Sequence, residues 1–168
     1  IQDWSIACLR FFNPIGAHES GLIGENSLNT PNNIFPIINR VGLGSIDEVK
    51  IFGNDWNTRD GTCIRDYIHI MDLSEGHVLA LERILKENSF MLKLNLGTGK
   101  GTTVLELIHE FEEVNKIKIP YSFAKRREGD RSIVIADNSL ANSILGWTPK
   151  RSIEDMCRDG WNWQNSNK

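Results

Sequence analysis

Between Asp60 and Leu73 the chain reads D-G-T-C-I-R-D-Y-I-H-I-M-D-L, a strand pattern that runs straight into a helix signal. Ile64, Asp66, Ile68 and Ile70 alternate with Arg65, Tyr67 and His69. Residues two apart on a strand share a face, so Arg65, Tyr67 and His69 are expected to point the same way. A guanidinium beside an aromatic ring suits a planar anionic ligand. A half-exposed strand carrying an ion pair is the other reading of the same pattern, and the segment alone leaves both open. Asp72 and Glu75 have the spacing of a capping box, which predicts a helix from just after Asp72 to about Glu87 with His77, Ala80, Leu81, Ile84 and Leu85 inward.

The rest of the chain alternates in the same way. Ser5–Phe12 is a mostly apolar run of strand length closed by Asn13-Pro14 and Gly16. Ile15–Asn33 has no period and many Gly, Ser, Asn and Pro residues, as a ligand-covering loop would. Ile34, Ile37, Ile38 and Val41 have helical spacing, Glu48–Phe52 and Met91–Leu96 read as strands, and Thr103 with Glu106 starts a helix. A strand at Tyr121–Lys125, a short one near Ile133–Ala136, a short helix at Leu140–Leu145 and a last helix opened by Ser152 and Asp155 complete the series. Strands alternating with helices define an α/β class, and residues 1–168 read as a single segment with one core.

Composition narrows the function. A net charge of −3 supplies no global field for nucleic acid or an anionic membrane, so an anion site must be local. Cys8, Cys63 and Cys157 are odd in number and form no C-x-x-C pair, which points to a reducing compartment, the cytoplasm. No apolar run has the length of a membrane span, and no signal peptide is expected. His18, His69, His77 and His109 share no metal-ligand spacing, and no metal is expected.

Three motifs invite chemistry. Gly97-Thr98-Gly99-Lys100-Gly101 lies between a strand and a helix, but its G-x-G-x-G spacing departs from the dinucleotide loop and reads as a plain turn. Tyr121 and Lys125 match Y-x-x-x-K, yet on a strand they would sit roughly 13 Å apart, too far for the ammonium to act on the phenol. Arg126-Arg127-Glu128-Gly129-Asp130 offers two guanidinium groups and a carboxylate, suited either to a diphosphate and a ribose diol or to a solvated turn.

Taken together, F-F-N-P-I-G-A-H, P-N-N-I, I-F-G-N-D, D-G-T-C-I-R-D-Y-I-H-I-M-D-L, L-N-L-G-T-G, R-R-E-G-D and L-G-W resemble the C-terminal half of the UDP-glucose 4-epimerase family, within the extended short-chain dehydrogenase/reductases. The resemblance implies a C-terminal substrate-binding portion that lacks most of the N-terminal Rossmann sheet. Asn13, Asn33 and Ile34 would then contact a UDP-sugar, and Lys50, Ile51 and Phe52 would border the uracil. Arg65 and Arg127 would clamp the diphosphate, Tyr67 would line the nucleotide site, and Asp130 would take the ribose hydroxyls. Phe12 would meet the nicotinamide end of NAD. Val134 stands where some members carry tyrosine, leaving room for an N-acetyl group. The glycine loop for NAD, the catalytic Ser or Thr and the true Y-x-x-x-K belong to the other half of the family's fold, so no catalytic residue is expected in this segment. Related UDP-sugar epimerases, a UDP-N-acetylglucosamine 4-epimerase among them, and a non-catalytic UDP-sugar module are the alternatives; the family implies a possible homodimer.

Overall fold

The structure is a computed structural model that describes residues 4–26, 31–86 and 91–166. Its first core forms on strand β1 (Ile6–Phe11), which pairs in parallel with β6 (Met91–Leu96) from Ile6–Met91 to Phe11–Leu96. Leu92, Leu94 and Leu96 alternate inward and are buried, while Met91 and Lys93 face out. The inward face packs on Ile68, Leu73, Ala141 and Trp147. Cys8, Arg10 and Phe11 are exposed, so β1 is covered on one face rather than buried as its composition suggested. Among the described residues β1 pairs along one edge only.

Helix α2 (Ile70–Ile84) crosses that inward face. It starts earlier than the Asp72 signal predicts, because His69 is its N-cap and accepts the Met71 N–H on Nδ1 at 3.0 Å. Asp72 lies inside the first turn, fully buried, and its carboxylate takes the backbone N–H groups of Lys150 and Arg151 and the Arg151 guanidinium. Its role is to tie a distant loop to the helix, not to cap it. The inward face differs too. Leu73, Gly76 and Ala80 are buried, whereas His77, Leu81 and Leu85 are exposed. Gly76 sets this rotation: a Cβ there would lie 3.0 Å from Leu96 Cδ1 and 3.2 Å from Trp147 Nε1, so the helix approaches the sheet at its smallest residue.

The second core is helical. Helices α1 (Ile34–Gly42), α3 (Val104–Asn115) and α5 (Ile153–Ser166) enclose Phe111, whose ring meets Phe35 and Trp161 edge-on at 6.0 and 5.7 Å. The capping boxes expected at Thr103/Glu106 and Ser152/Asp155 are formed. Strand β3 (Val49–Phe52) pairs in parallel with β8 (Tyr121–Ala124) against this core, burying Val49 and Ile51. The short helix α4 (Ser139–Leu145) ends at Gly146 in the left-handed region.

The central stretch joins the two cores, and it is not one strand. β4 (Ile64–Arg65) pairs with β7 (Thr102–Thr103) and β9 (Ile133–Val134); β5 (Tyr67–His69) pairs with β2 (Asn13–Ile15). Asp66 sits at the break, fully buried. Its carboxylate accepts the Thr98 N–H (2.8 Å), the Thr98 hydroxyl (2.6 Å), the Gly99 N–H (2.9 Å) and the Ala136 N–H (3.1 Å). A carboxylate left unpaired in a core is costly, and four donors from two loops remove that cost.

Candidate functional site

The Asp66 break aims its two neighbours at one cleft of about 210 Å³. Arg65, at the end of β4, and Tyr67, at the start of β5, both line it. Arg65 Nη1 donates to the carbonyls of Ile64 (2.9 Å) and Arg131 (2.8 Å), and Nη2 stands 3.5 Å from Asp130 Oδ1. Among the described residues the buried Tyr67 hydroxyl has no hydrogen-bond partner. Burial pushes its pKa above the ordinary tyrosine value, so it remains a neutral O–H with a donor to offer.

His69 does not join them. Its imidazole is fully buried further along β5, with Nε2 3.3 Å from Asp159 Oδ2 on α5. Because Nδ1 accepts from Met71, Nε2 carries the proton and donates to Asp159. Strand parity turns it toward α5 with Tyr67, whose core neighbours are Met156 and Cys157, but the helix cap and a buried carboxylate 90 residues away keep it out of the cleft. Burial lowers the His69 pKa from its ordinary 6.5, so the unfolded chain takes up the proton first. Stability contributed by neutral His69 is whole above about pH 6.5 and is lost as the pH falls toward the folded value. Urea unfolding at pH 7.5 and 5.5 is expected to show a fall in stability that a His69→Gln chain lacks.

The other walls of the cleft come from distant segments. Asn13 from β2, and Asn33 with Ile34 at the start of α1, form one side. Lys50, Ile51 and Phe52 of β3 form the second. Arg127 and Asp130 close the third, with the Arg127 guanidinium 3.7 Å over the Phe52 ring. Of the substrate-site residues expected from the sequence, Val134 alone is off the wall. It lies in β9, in register with Arg65. Phe12, half-buried between β1 and β2, is also outside the cleft.

The cleft also has walls that were not among the expected site residues: Asn32, Ile37, Cys63 and Val104. Ile37 is one turn along α1 from Ile34, and Cys63 is two residues before Arg65, so periodicity alone would have found both. Val104 carried no local signal. The loop expected to cover a ligand divides: Asn32 and Asn33 reach the cleft, while Gly24 and Glu25 pack on α5, where Trp163 Nε1 donates to the Glu25 carbonyl at 3.0 Å. Residues 27–30 of that loop lie outside the described residues.

Two of the tempting motifs stay apart from the cleft. The Thr98 and Gly99 N–H groups are spent on Asp66, so the Gly97–Gly101 turn has no free cradle for a dinucleotide phosphate. Tyr121 lies on strand β8, where its ring meets Phe123 at 5.8 Å. Among the described residues no group of three or more His, Cys, Asp or Glu side chains is disposed to hold a metal, and no helix is long and apolar enough to cross a membrane.

An α/β fold whose cleft gathers two arginines, a buried tyrosine hydroxyl and an aromatic ring can hold a planar anion, and comparison with known proteins gives the family. The family model described as GDP-mannose 4,6 dehydratase matches residues 2–160, and the chain belongs to that family. It is 50% identical over 166 residues to the UDP-glucose 4-epimerase of Bacillus subtilis (strain 168), covering 99% of this chain and 49% of that protein. It is 47% identical to the bifunctional UDP-glucose 4-epimerase and UDP-xylose 4-epimerase 3 of Arabidopsis thaliana, covering 98% and 47%. Among solved structures, the UDP-glucose-4-epimerase of Stenotrophomonas maltophila with bound NAD and formylated UDP-arabinopyranose superposes with a TM-score of 0.95 at 48% identity, over 99% of this chain and 49% of that one. The Bifidobacterium longum enzyme in complex with NAD+ and UDP gives 0.94 at 43%, with the same coverage. The chain spans about half the length of the relatives it matches.

Proposed function

We propose that this chain is the UDP-sugar-binding portion of an NAD-dependent UDP-glucose/UDP-galactose 4-epimerase. The observation that carries the reading is the convergence of Arg65, Tyr67, Arg127 and Asp130 with Phe52 on one cleft. In this reading the guanidinium groups neutralise the diphosphate, the Tyr67 hydroxyl finds its missing partner on a phosphate oxygen, and Asp130 accepts from the ribose diol. Lys50–Phe52 border the uracil, and Asn13, Asn33 and Ile34 hold the remaining edge of the ligand.

NAD belongs to the complete protein and supplies its redox chemistry there. Among the described residues the Gly97–Gly101 turn offers no cradle for it, since the Thr98 and Gly99 N–H groups donate to Asp66. Base and hydride chemistry are therefore assigned to the complementary half, and the single-edged β1 with exposed Phe11, Val78, Leu81 and Leu85 fits a further strand and helix from it. Free Cys8, Cys63 and Cys157 agree with a reducing compartment, the cytoplasm.

Isothermal titration of UDP into the chain tests the binding half of the proposal; a flat titration overturns it. Joined to a complementary NAD-binding half, the protein is expected to interconvert UDP-galactose and UDP-glucose. The small Val134, in register with Arg65, favours acceptance of N-acetylated sugars as well. In that complete protein, Val134→Tyr is expected to reduce turnover of UDP-N-acetylglucosamine selectively, and equal loss on both substrates would refute the size argument.

A further inference from the structure

We infer that Trp56 and Arg126 are positioning residues for the cleft: neither lines it, and together they hold Phe52 and Arg127, which do. The inference rests on the UDP-binding reading above. Trp56 Nε1 donates to the Phe52 carbonyl at 3.1 Å, fixing the end of β3. The Arg126 guanidinium lies 4.0 Å over the Trp56 ring, and its Nε and Nη2 donate to the Asp55 carboxylate (2.7 Å) and carbonyl (2.6 Å). One residue on, the Arg127 guanidinium covers the Phe52 ring. Two consecutive arginines thus stack on two aromatic residues that a hydrogen bond from the indole to the backbone joins.

Gly53 closes the circuit. Its N–H donates to the Ala124 carbonyl at 2.8 Å, extending the β3–β8 ladder to within two residues of Arg126. Its φ is +85°, and a Cβ there would collide with Trp56 Nε1 and Arg126 Cγ. The turn is bare where the indole and the arginine stem close over it. With Arg126 anchored outward on Asp55, the backbone of Arg127 is set, and the stacked guanidinium gives up less freedom when an anion arrives. The ladder accordingly acts on affinity through Arg127 and Phe52 without touching the ligand.

A double-mutant cycle reads this coupling. UDP is titrated calorimetrically into the unsubstituted chain, Arg126→Ala, Arg127→Ala and the double variant. Arg126 is exposed, so its loss is expected to leave urea unfolding unchanged while UDP affinity falls about three- to tenfold, the range of a partly exposed cation–π contact. In the Arg127→Ala background the same change is expected to cost less, since only the route through Phe52 remains. Arg126→Lys, which keeps the charge but not the fork, is expected not to restore affinity. Trp56→Phe, which keeps the ring for Arg126 but loses the bond to the Phe52 carbonyl, is expected to weaken UDP as well. Unchanged affinity in Arg126→Ala, full additivity with Arg127→Ala, or rescue by lysine would each overturn the positioning role while leaving UDP binding intact. An unsubstituted chain that binds no UDP overturns the functional reading, and the positioning role with it.

Discussion

Arg65→Ala is expected to weaken UDP binding by roughly ten- to a hundredfold, the size of one or two charge-assisted hydrogen bonds. Both Nη1 hydrogens of Arg65 go to backbone carbonyls, one of them on the Arg131 loop, so its planar head is already oriented. Nη2, only loosely engaged by Asp130 at 3.5 Å, remains for a phosphate. A group fixed before binding gives most of its interaction to the ligand rather than to its own ordering. Arg127→Ala is expected to fall in the same range, losing the stacked guanidinium over Phe52 along with the charge. Titration calorimetry at low and high salt checks both: the losses shrink as salt rises, since screening weakens the contact in the parent chain. Superimposable curves for parent and variant would contradict the clamp.

Asp66→Ala is expected to lower unfolding stability by about 3–5 kcal/mol, because each buried donor it strands costs about 1–3 kcal/mol. The stranded groups are the backbone N–H of Thr98, Gly99 and Ala136. Gly97 approaches so closely that a Cβ on it would meet Ala136 and Asp66, which leaves little room for water to take over. Asp66→Asn is expected to lose less, since one oxygen survives while the amide NH2 opposes donors. Urea denaturation with an unchanged slope provides the measurement, and a midpoint equal to that of the parent chain would show that the two loops are held by other contacts.

These two residues also mark how far the sequence could be read. The strands at Met91–Leu96 and Val49–Phe52 and the capping boxes at Thr103 and Ser152 follow rules confined to a few neighbouring residues, and they stand where the pattern placed them. Asp66, Asp72 and Asp159 were opaque because the donors that make their burial tolerable come from 32 to 90 positions away. The same distance effect keeps His69 out of the cleft and shifted the start of α2, since strand parity says nothing of a carboxylate on the last helix. The inward face of α2 was misread because it is chosen by the closeness of Gly76 to the sheet rather than by its leucines. Arg65 and Arg127 were paired through family motifs, not through any local rule, and the cleft that they share is visible only in three dimensions.

The cleft draws its walls from three short sheets: β2–β5 gives Asn13 and Tyr67, β3–β8 gives Lys50 to Phe52, and β4 with its two partners gives Arg65. Asp66 ties the first to the last, its N–H donating to the Val134 carbonyl and its carbonyl accepting from the Asn13 N–H, and a nucleotide bridging all three works as a further staple. Its binding free energy is then shared among elements that would otherwise open separately. Amide exchange should accordingly slow in concert on all three sheets when UDP is added, while the β1–β6 pair, which contributes nothing to the cleft, keeps its own pace.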